Sequence, residues 1–255
     1  MTCLIFSEER SHNGLKNNWW KTVAATVTGS MHERRGDLGQ DAFAIGVSDS
    51  LIVVALCDGA GSSRHGLEGA RICSQSVVSG LTKDLLLLKS SKNRISKDDI
   101  VLYIVSRVEE VRDKISKLGD IREYAATLVG AVVWEKCSFF FHIGDGIGVA
   151  LQEIDSTLEW NNPIVTKSEN GEYINETYFF TDSQWKDHLR LTEFSITKGG
   201  VIILMSDGVM PFAMKSGNER PDERFLGPVC QYLEDEEIDR GSLALHGTLG
   251  CEAAC

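Results

Sequence analysis

The sequence predicts a single α+β domain, and three features of the chain support that prediction. An uninterrupted apolar run over residues 51–57 ends in an acid and a loop of small residues, which is typical of a strand buried on both faces. Residues 98–118 place apolar side chains at helical spacing. Residues 126–134 and 138–143 are strand-like runs around a short turn, and the 255 residues contain no internal repeat, linker or domain boundary.

Three strands are expected before the first helix. Residues 19–29 alternate well enough for a strand, and residues 42–47 and 51–57 form two more around a tight turn at 49–50. Strands joined by so short a turn run antiparallel, because a parallel crossover needs roughly a dozen residues. Residues 1–18 are polar and lack a long apolar segment, so they are not expected to be a signal peptide.

Two helices are predicted next, over about residues 67–88 and 98–118. Ser96 and Asp99 resemble a capping box at the start of the second helix. The two helices are expected to form an antiparallel pair that covers one face of a sheet. The elements expected further along are strands at 126–134, 138–143, 147–152, 178–180, 201–205 and 243–245, an irregular segment at 211–224, and a short helix at 225–233.

Composition excludes several functional classes. The net charge of −11, without a Lys/Arg cluster, argues against nucleic-acid binding. The seven cysteines show no Cys-x-x-Cys spacing, which favours free thiols in a reducing compartment. Because no apolar run reaches the roughly 18 residues of a membrane span, we expect no membrane association and a cytoplasmic location.

Acidic residues stand at the ends of several strand-like runs. An unpaired buried carboxylate is costly, so an acid at such a position calls for a partner. Divalent cations such as Mg²⁺ and Mn²⁺ take oxygen ligands, and two ions that share a water can make it a nucleophile at neutral pH. Asp-Gly is also a common turn dipeptide, so a turn role stays open for each pair taken singly. The four acids are Asp41, Asp58, Asp207 and Asp239.

Short motifs follow one another in a fixed order along the chain. They are Gly29-Ser30-Met31-His32, Gln40-Asp41-Ala42, Asp58-Gly59-Ala60-Gly61-Ser62, Ala126-Thr127-Leu128-Val129-Gly130, Ile143-Gly144-Asp145-Gly146, Gly171-Glu172-Tyr173, Phe180-Thr181-Asp182, Ser206-Asp207-Gly208 and Asp239-Arg240-Gly241-Ser242-Leu243. In these motifs and their order the chain resembles the metal-dependent protein phosphatases of type 2C, in particular the bacterial branch whose first signature reads DGAGS. The resemblance extends over nearly the whole chain.

The resemblance implies a fold and a site. The fold is a four-layer α-β-β-α sandwich of two antiparallel sheets flanked by helix pairs, as one domain over residues 1–255. Its core spans about residues 19–245, and residues 246–255 form an atypical tail. The implied site is a two-metal centre that holds Mn²⁺ or Mg²⁺.

By position in the family pattern, Asp58 would bridge both ions and Gly59 would offer its carbonyl. Asp207 and Asp239 would complete the shell of one ion, and Asp41 would hold metal-bound water. The implied reaction is attack of a metal-bridging hydroxide on phosphoserine or phosphothreonine, without a phosphoenzyme. The implied partners are a phosphorylated protein substrate and a cognate Ser/Thr kinase.

The chain departs from the family pattern near the first acids. Gln40 is neutral where many members carry an acid, so its amide can orient only water or backbone. Ala60 stands where some relatives have a histidine thought to protonate the leaving oxygen. We expect that role to fall to His32, to His65 or to a metal-bound water.

Other departures concern phosphate binding and the last ligand. His32 stands where eukaryotic members place an arginine, and the nearby Arg34 and Arg35 are either surface residues or phosphate ligands. The interval from Asp207 to Asp239 is short for the family, which predicts an altered C-terminal region and a weakened metal site. His142, next to three phenylalanines, is expected to be a core histidine.

Three functions follow, from different classes. The leading interpretation is a Mg²⁺/Mn²⁺-dependent serine/threonine protein phosphatase. A second is a catalytically weak member that acts as a phosphoprotein-binding regulatory module, motivated by Gln40, Ala60 and the short C-terminal region. A third is a metal-dependent phosphatase for a small phosphorylated metabolite.

Overall fold

The computed structural model describes residues 1–9, 19–29, 36, 38–48, 51–91, 96–134, 137–166, 177–196, 199–215, 217–235 and 238–253. The chain divides into two compact units, each built on one sheet. The first unit comprises Met1–Gly39, Ile147–Ser168 and Phe194–Cys255, and the second comprises Gln40–Gly146 and Glu169–Glu193.

The strands, in chain order, are β1 (Thr2–Glu9), β2 (Trp19–Thr26), β3 (Asp41–Ser48), β4 (Leu51–Asp58), β5 (Leu128–Trp134), β6 (Cys137–Ile143), β7 (Ile147–Ile154), β8 (Thr157–Leu158), β9 (Ile164–Val165), β10 (Arg190–Phe194) and β11 (Gly200–Met205). The helices are α1 (Gly66–Ser91), α2 (Lys97–Ser116), α3 (Met210–Ala213), α4 (Glu223–Asp235) and α5 (Ile238–Ala253), with 3-10 turns at Ile121–Tyr124 and Asp207–Val209. The α+β class is therefore confirmed.

The sheet of the second unit has the order β10-β6-β5-β4-β3. Its strands β3 to β6 pair antiparallel, as the short predicted turns require. Alternate residues of β4, among them Val53, Ala55 and Cys57, pack into one core with the buried faces of α1 and α2. The predicted strand at 51–57 and the helix-covered sheet face are thus confirmed, whereas the four-layer stacking stays a prediction.

Helix α2 begins at the predicted capping box. The Ser96 side-chain oxygen accepts a hydrogen bond from the Asp99 N–H at 3.1 Å. The Asp99 carboxylate accepts one from the Ser96 N–H at 3.0 Å. Two N–H groups at the start of the helix therefore have partners.

Removing this cap is expected to weaken the second unit. Ser96→Ala should lower the free energy of unfolding by about 1 kcal/mol, because the Asp99 N–H loses its acceptor at a helix start. Urea denaturation followed by circular dichroism measures the change. The matched control is Ser106→Ala, an exposed position inside the same helix, and equal stability of the two variants would contradict the prediction.

The sheet of the first unit has the order β2-β1-β11-β7-β8, with β9 also paired to β7. Strand β1 lies between β2 and β11 and is antiparallel to both. The ordered core therefore begins before residue 19, where the sequence places its start, because Thr2–Glu9 form an inner strand of this sheet. The sequence hides this strand because its pairing partners are distant in the chain, and pairing rather than local pattern decides its conformation.

The predicted last strand at 243–245 is wrong, because these residues belong to α5. In a strand Leu243 and Leu245 would share one face, but Leu243 is 73% exposed and Leu245 only 2%. The buried pair is Leu245 and Leu249, four residues apart, which is helical spacing. The predicted helix at 225–233 is confirmed by α4.

Residues 178–180 do not form the predicted strand. The Asp182 carboxylate accepts a hydrogen bond from the Phe179 N–H at 2.7 Å, and the Asp182 N–H donates to the Phe179 carbonyl at 3.1 Å. This local turn satisfies backbone groups that a ladder would otherwise use. The outer strand of the sheet is instead β10, which the sequence analysis does not predict. The segment 211–224, expected to be irregular, begins inside the short helix α3 and ends inside α4.

Two expectations from composition concern the cysteines and membrane-spanning helices. Cys3, Cys57, Cys73, Cys230 and Cys251 are not joined in disulfide bonds. Within the described ranges, no helix is long and apolar enough to cross a bilayer. The cytoplasmic location stays a prediction.

Candidate active site

Two carboxylates face each other at one end of the β3–β4 pair. Asp41 and Asp58 are direct partners in the antiparallel register. The Gly59 N–H donates to the Gln40 carbonyl at 3.1 Å, so Gln40 and Gly59 are the hydrogen-bonded pair next to them. Asp41 and Asp58 therefore form a non-hydrogen-bonded pair, the geometry in which side chains on adjacent strands approach most closely.

Strand β5 fixes the other side of Asp58. The Asp58 N–H donates to the Thr127 hydroxyl at 3.1 Å, and the Asp58 carbonyl accepts from the Thr127 N–H at 2.8 Å. Both backbone groups of Asp58 thus point toward β5, which agrees with the pairing on its β3 side. Thr127 lies in the motif Ala126-Thr127-Leu128-Val129-Gly130, but no local pattern in the sequence indicates its contact with Asp58.

The two carboxylates lie on the sheet face opposite the helices. Their neighbours Ala42 and Cys57 pack in the core with α1 and α2, and side chains alternate between the faces of a strand. Asp41 is only 8% exposed. Like charges directly opposite on adjacent strands repel, and a divalent cation between them removes that repulsion. The pair therefore fits a hard cation with oxygen ligands.

Gly59 permits a close backbone contact beside the acids. A Cβ on Gly59 would lie 2.4 Å from the Gly66 carbonyl carbon and 2.6 Å from its oxygen. This contact brings the two ends of the loop 60–65 together. Two hydrogen bonds also hold the loop: the Ala60 N–H donates to the Ala125 carbonyl and the His65 N–H to the Glu123 carbonyl, both at 2.8 Å. In a hydrogen-bonded pair both backbone groups face the partner strand, so the Gly59 carbonyl points toward the Asp41 side.

His65 lies on the helix side of this sheet. Its ring stacks on Tyr124 with centroids 4.9 Å apart, and Tyr124 packs in the core with α1 and α2. The Nδ1 atom is 3.6 Å from the Glu68 carboxylate. The two carboxylates lie on the opposite face, so these contacts favour a packing role over the proton-donor role for His65.

Asp207 belongs to the first unit and lies two residues after the end of β11. It is exposed and begins the 3-10 turn Asp207–Val209. The preceding Ser206 is anchored to the start of β1, because its hydroxyl accepts from the Thr2 N–H at 2.9 Å and its N–H donates to the Thr2 carbonyl at 3.0 Å. Asp207 is thus an acid at the end of a buried strand, as predicted.

Asp239 does not stand at a strand end. It lies exposed in the first turn of α5, where a negative charge is favoured by the helix dipole. Helix α5 is held against β2, since the Ser242 hydroxyl accepts from the Ala24 N–H at 3.4 Å. The expectation that Asp239 starts a strand is wrong, and its metal-ligand role stays a prediction.

The predicted site residues fall into three groups. Asp41, Asp58 and Gly59 lie together in the second unit, whereas Asp207 and Asp239 belong to the first. His32, Arg34, Arg35 and the motif at 171–173 lie outside the described residues, as does the turn at 49–50. Among the residues that are described, no group of three or more His, Cys, Asp or Glu side chains is arranged to hold a metal ion.

Two buried titratable residues of this sheet, Cys57 and His142, are held in their neutral forms. Burial raises the pKa of the Cys57 thiol, as do its hydrogen bond with Cys73 and the charges of Asp58 and Asp41. Burial and the charge of Arg190 lower the pKa of His142, which is 1% exposed. Neither residue is therefore placed to act as a nucleophile or an acid, and His142 lies buried as the interpretation of a core histidine expects.

Comparisons with known proteins agree with this architecture. Serine/threonine-protein phosphatase 3 of Escherichia coli (strain K12) is 25% identical over 228 residues, which cover 86% of this chain and 87% of the relative. A crystal structure of a bacterial serine phosphatase has a TM-score of 0.60 at 16% identity and covers 89% of this chain and 90% of its own. The serine/threonine phosphatase Stp1 from Staphylococcus aureus has a TM-score of 0.55 at 14% identity. The similarity covers 99% of this chain and 89% of the Stp1 chain.

A further solved structure is the catalytic domain of the serine threonine protein phosphatase PstP in complex with 2 manganese ions. Its TM-score is 0.53 at 14% identity, and the similarity covers 99% of this chain and 94% of that domain. These structural likenesses show the fold. The family described as protein phosphatase 2C matches residues 28–249, most of the chain. The match confirms the resemblance to the family, while membership of the DGAGS branch stays a prediction. The chain belongs to the protein phosphatase 2C family.

Proposed function

We propose that the protein is a metal-dependent serine/threonine protein phosphatase that hydrolyses phosphoserine and phosphothreonine. The observation that carries the proposal is the pair Asp41 and Asp58, two carboxylates opposed in register beside the backbone carbonyl of Gly59. Family membership supports the reaction type. The name of the Escherichia coli relative supports a phosphorylated protein as substrate, and a cognate Ser/Thr kinase is the further partner that we propose.

The donor set fits divalent cations. Carboxylates and a backbone carbonyl are oxygen ligands of the kind that Mg²⁺ and Mn²⁺ prefer. Asp58 and the Gly59 carbonyl would be ligands of two such ions. We assign Asp207 and Asp239 to the remaining positions, and the structure with two manganese ions supports that number. When bound, such ions polarise a phosphoryl oxygen and lower the pKa of water.

The residues of this chain then position the reactants. Asp41, held in register with Asp58, is placed to accept a hydrogen bond from a water beside Asp58. Backbone bonds from Thr127 and the closed loop after Gly59 keep these groups from rearranging. Fixed geometry of this kind supplies much of the rate in phosphate chemistry. His32, outside the described residues, remains the candidate proton donor in this proposal.

Metal removal tests the proposed activity. Hydrolysis of para-nitrophenyl phosphate with Mn²⁺ should fall to background in excess chelator and return when Mn²⁺ exceeds the chelator. The reason is that paired carboxylates alone repel a phosphate, whereas bound cations attract it. Activity that survives chelation would contradict the proposal. Faster turnover of a sugar phosphate than of a phosphothreonine peptide would favour a metabolite phosphatase.

A second candidate is a phosphoprotein-binding module with little turnover. The observation that favours it is Asp239, which lies in the first turn of a helix instead of at a strand end. A metal shell that lacks this ligand would bind its ion weakly and still attract phosphate. Binding of a phosphothreonine peptide by folded protein that hydrolyses neither the peptide nor para-nitrophenyl phosphate would support this candidate.

A further inference from the structure

Strand β3 is an edge strand in the sheet of the second unit, and its first residue, Asp41, belongs to the candidate site. Its register with β4 is continuous from Asp41 to Ser48, without a bulge. Because Gln40 and Gly59 are a hydrogen-bonded pair, every second residue after Gln40 points its backbone groups toward β4. The intervening residues Phe43, Ile45 and Val47 therefore point their N–H and C=O groups to the outer edge.

Apart from helix α1, which packs on β3, this edge lacks the features that usually prevent strand pairing. Proteins protect an edge with charges, proline, bulges, short strands or a covering helix. Residues 42–47 contain no charge and no proline, and Val47 is 61% exposed. Within the described part of the chain, β4 is the only strand that pairs with β3.

The other sheet shows what a protected edge looks like. The outer strand β2 is covered by α5, whose Ser242 hydroxyl accepts the Ala24 N–H at 3.4 Å. Helix packing alone does not distinguish the two edge strands, because a Cβ on Gly46 of β3 would also lie 2.5 Å from the Thr82 hydroxyl oxygen of α1. The difference is that a side chain of α5 accepts a backbone N–H of β2. The opposite edge of the second sheet is β10, which is five residues long and carries Arg190 and Glu193. The long apolar edge of β3 thus stands apart from both.

Charge distinguishes the possible occupants of this edge. The chain carries a net charge of −11, so two copies placed edge to edge repel each other. The same charge attracts a cationic peptide. The edge is also continuous with the site, since Asp41 is its first residue and opposes Asp58.

We infer that the outer edge of β3 binds the substrate: an extended, cationic phosphopeptide adds to it as an antiparallel strand, with the phosphorylated residue at the Asp41 end. This inference rests on the proposed function and specifies its substrate class. Main-chain hydrogen bonds along such an edge give affinity, and alternate side chains give specificity. The edge therefore recognises peptide conformation as well as phosphate.

The register sets the sequence preference. In an antiparallel pair, residues −2 and −4 of the peptide lie opposite Phe43 and Ile45, on the sheet face that carries Asp41. Both are apolar, so apolar peptide side chains are favoured there. The amides at −2 and −4 point toward β3, and those at −1 and −3 point away.

Backbone methylation of the substrate tests this periodicity without changing the protein. A cationic phosphothreonine peptide long enough to reach Val47 is compared with copies N-methylated at −1, −2, −3 or −4. Methylation at −2 or −4 should lower kcat/KM about three- to tenfold, because each removes one intermolecular hydrogen bond. Methylation at −1 or −3 should have little effect, and equal effects at neighbouring positions would overturn the inference.

A variant pair tests the protein side. Val47→Pro removes an outward N–H at a position where an edge strand accepts proline, and Val47→Ala removes the side chain and keeps the N–H. The ratio of phosphopeptide to para-nitrophenyl phosphate turnover should be about three- to tenfold lower in Val47→Pro than in Val47→Ala. Equal ratios would overturn the inference. A wild-type dimer that becomes monomeric in Val47→Pro, measured by light scattering, would assign the edge to a second copy instead.

The outcome also separates this inference from the proposed function. If wild-type protein with Mn²⁺ hydrolyses neither para-nitrophenyl phosphate nor the phosphopeptide, the proposed function fails. The edge is then judged by fluorescence polarisation of the same labelled peptides. Binding that alternates with the methylated position supports the edge, and absence of binding overturns it.

Discussion

Asp58→Asn is expected to lower the Mn²⁺-dependent kcat for para-nitrophenyl phosphate by about a hundredfold or more. Asp58 is a proposed metal ligand, and an amide is a poorer ligand for a hard cation than a carboxylate. Its backbone bonds to Thr127 involve only main-chain atoms of Asp58, so the substitution leaves them in place. The loss therefore reports on the carboxylate itself. Activity of the variant within tenfold of wild type would contradict the assignment.

The same substitution should stabilise the metal-free protein. Asp41 and Asp58 face each other as like charges in a non-hydrogen-bonded pair, and removing one charge relieves about 0.2–1 kcal/mol of repulsion. In a chain of this size that corresponds to a rise in Tm of about 1–3 °C. Added Mn²⁺ should raise the Tm of wild type and leave the variant almost unchanged, because ligand binding stabilises the state that binds it.

The matched control for this measurement is Asp155→Asn. Asp155 is exposed in a turn with a backbone φ of 49°, a conformation that asparagine tolerates well. The control removes one negative charge without touching the carboxylate pair. A metal-free Asp58→Asn protein that melts below Asp155→Asn would show that the pair is not repulsive.

The first part of the site was predictable because its strand is a strong local signal. The apolar run before Asp58 has the length of a strand and is bounded by turn residues, which favours a fully buried strand over a helix. Only two residues separate β3 from β4, too few for a parallel crossover, so the strands run antiparallel and Asp41 lies at the same end of the sheet as Asp58. The contact between Asp41 and Asp58 thus depends on local pattern and turn length, both of which are readable from the chain.

The C-terminal part was not predictable by the same means. The apolar run at 243–245 is too short to distinguish helix from strand, and only the burial of Leu245 with Leu249 decides for a helix. Strand β1 was missed for a related reason, since its partners β2 and β11 set its conformation through pairing. Both errors arise where long-range contacts, absent from any local window, determine the structure.

Gly59→Ala should strongly destabilise the protein, because the added methyl group meets backbone atoms on the helix side of the sheet. The new Cβ would lie 2.4 Å from the Gly66 carbonyl carbon, 2.6 Å from its oxygen and 2.9 Å from the Leu67 N. All three are backbone atoms, so no side chain can rotate away to make room. We expect a loss of about 3 kcal/mol in the free energy of unfolding, measured by urea denaturation.

Gly61→Ala is the matched control, because no atom lies within 4 Å of its added Cβ. It should change stability by less than about 0.5 kcal/mol. Equal urea midpoints for the two variants would show that the Gly59–Gly66 contact does not constrain the fold.

The activity of Gly59→Ala links this contact to the chemistry. Strand β4 is fixed in the sheet by pairing on both sides, and α1 is fixed in the helix-side core, so the loop 60–65 must open to admit the methyl group. Opening shifts the Gly59 carbonyl, the oxygen assigned to the metal beside Asp58. Mn²⁺ should therefore protect Gly59→Ala less than Gly61→Ala against thermal unfolding, and kcat should fall with that protection. A Gly59→Ala protein that is unstable but keeps full Mn²⁺ protection would separate the loop from the metal site and restrict this glycine to a packing role.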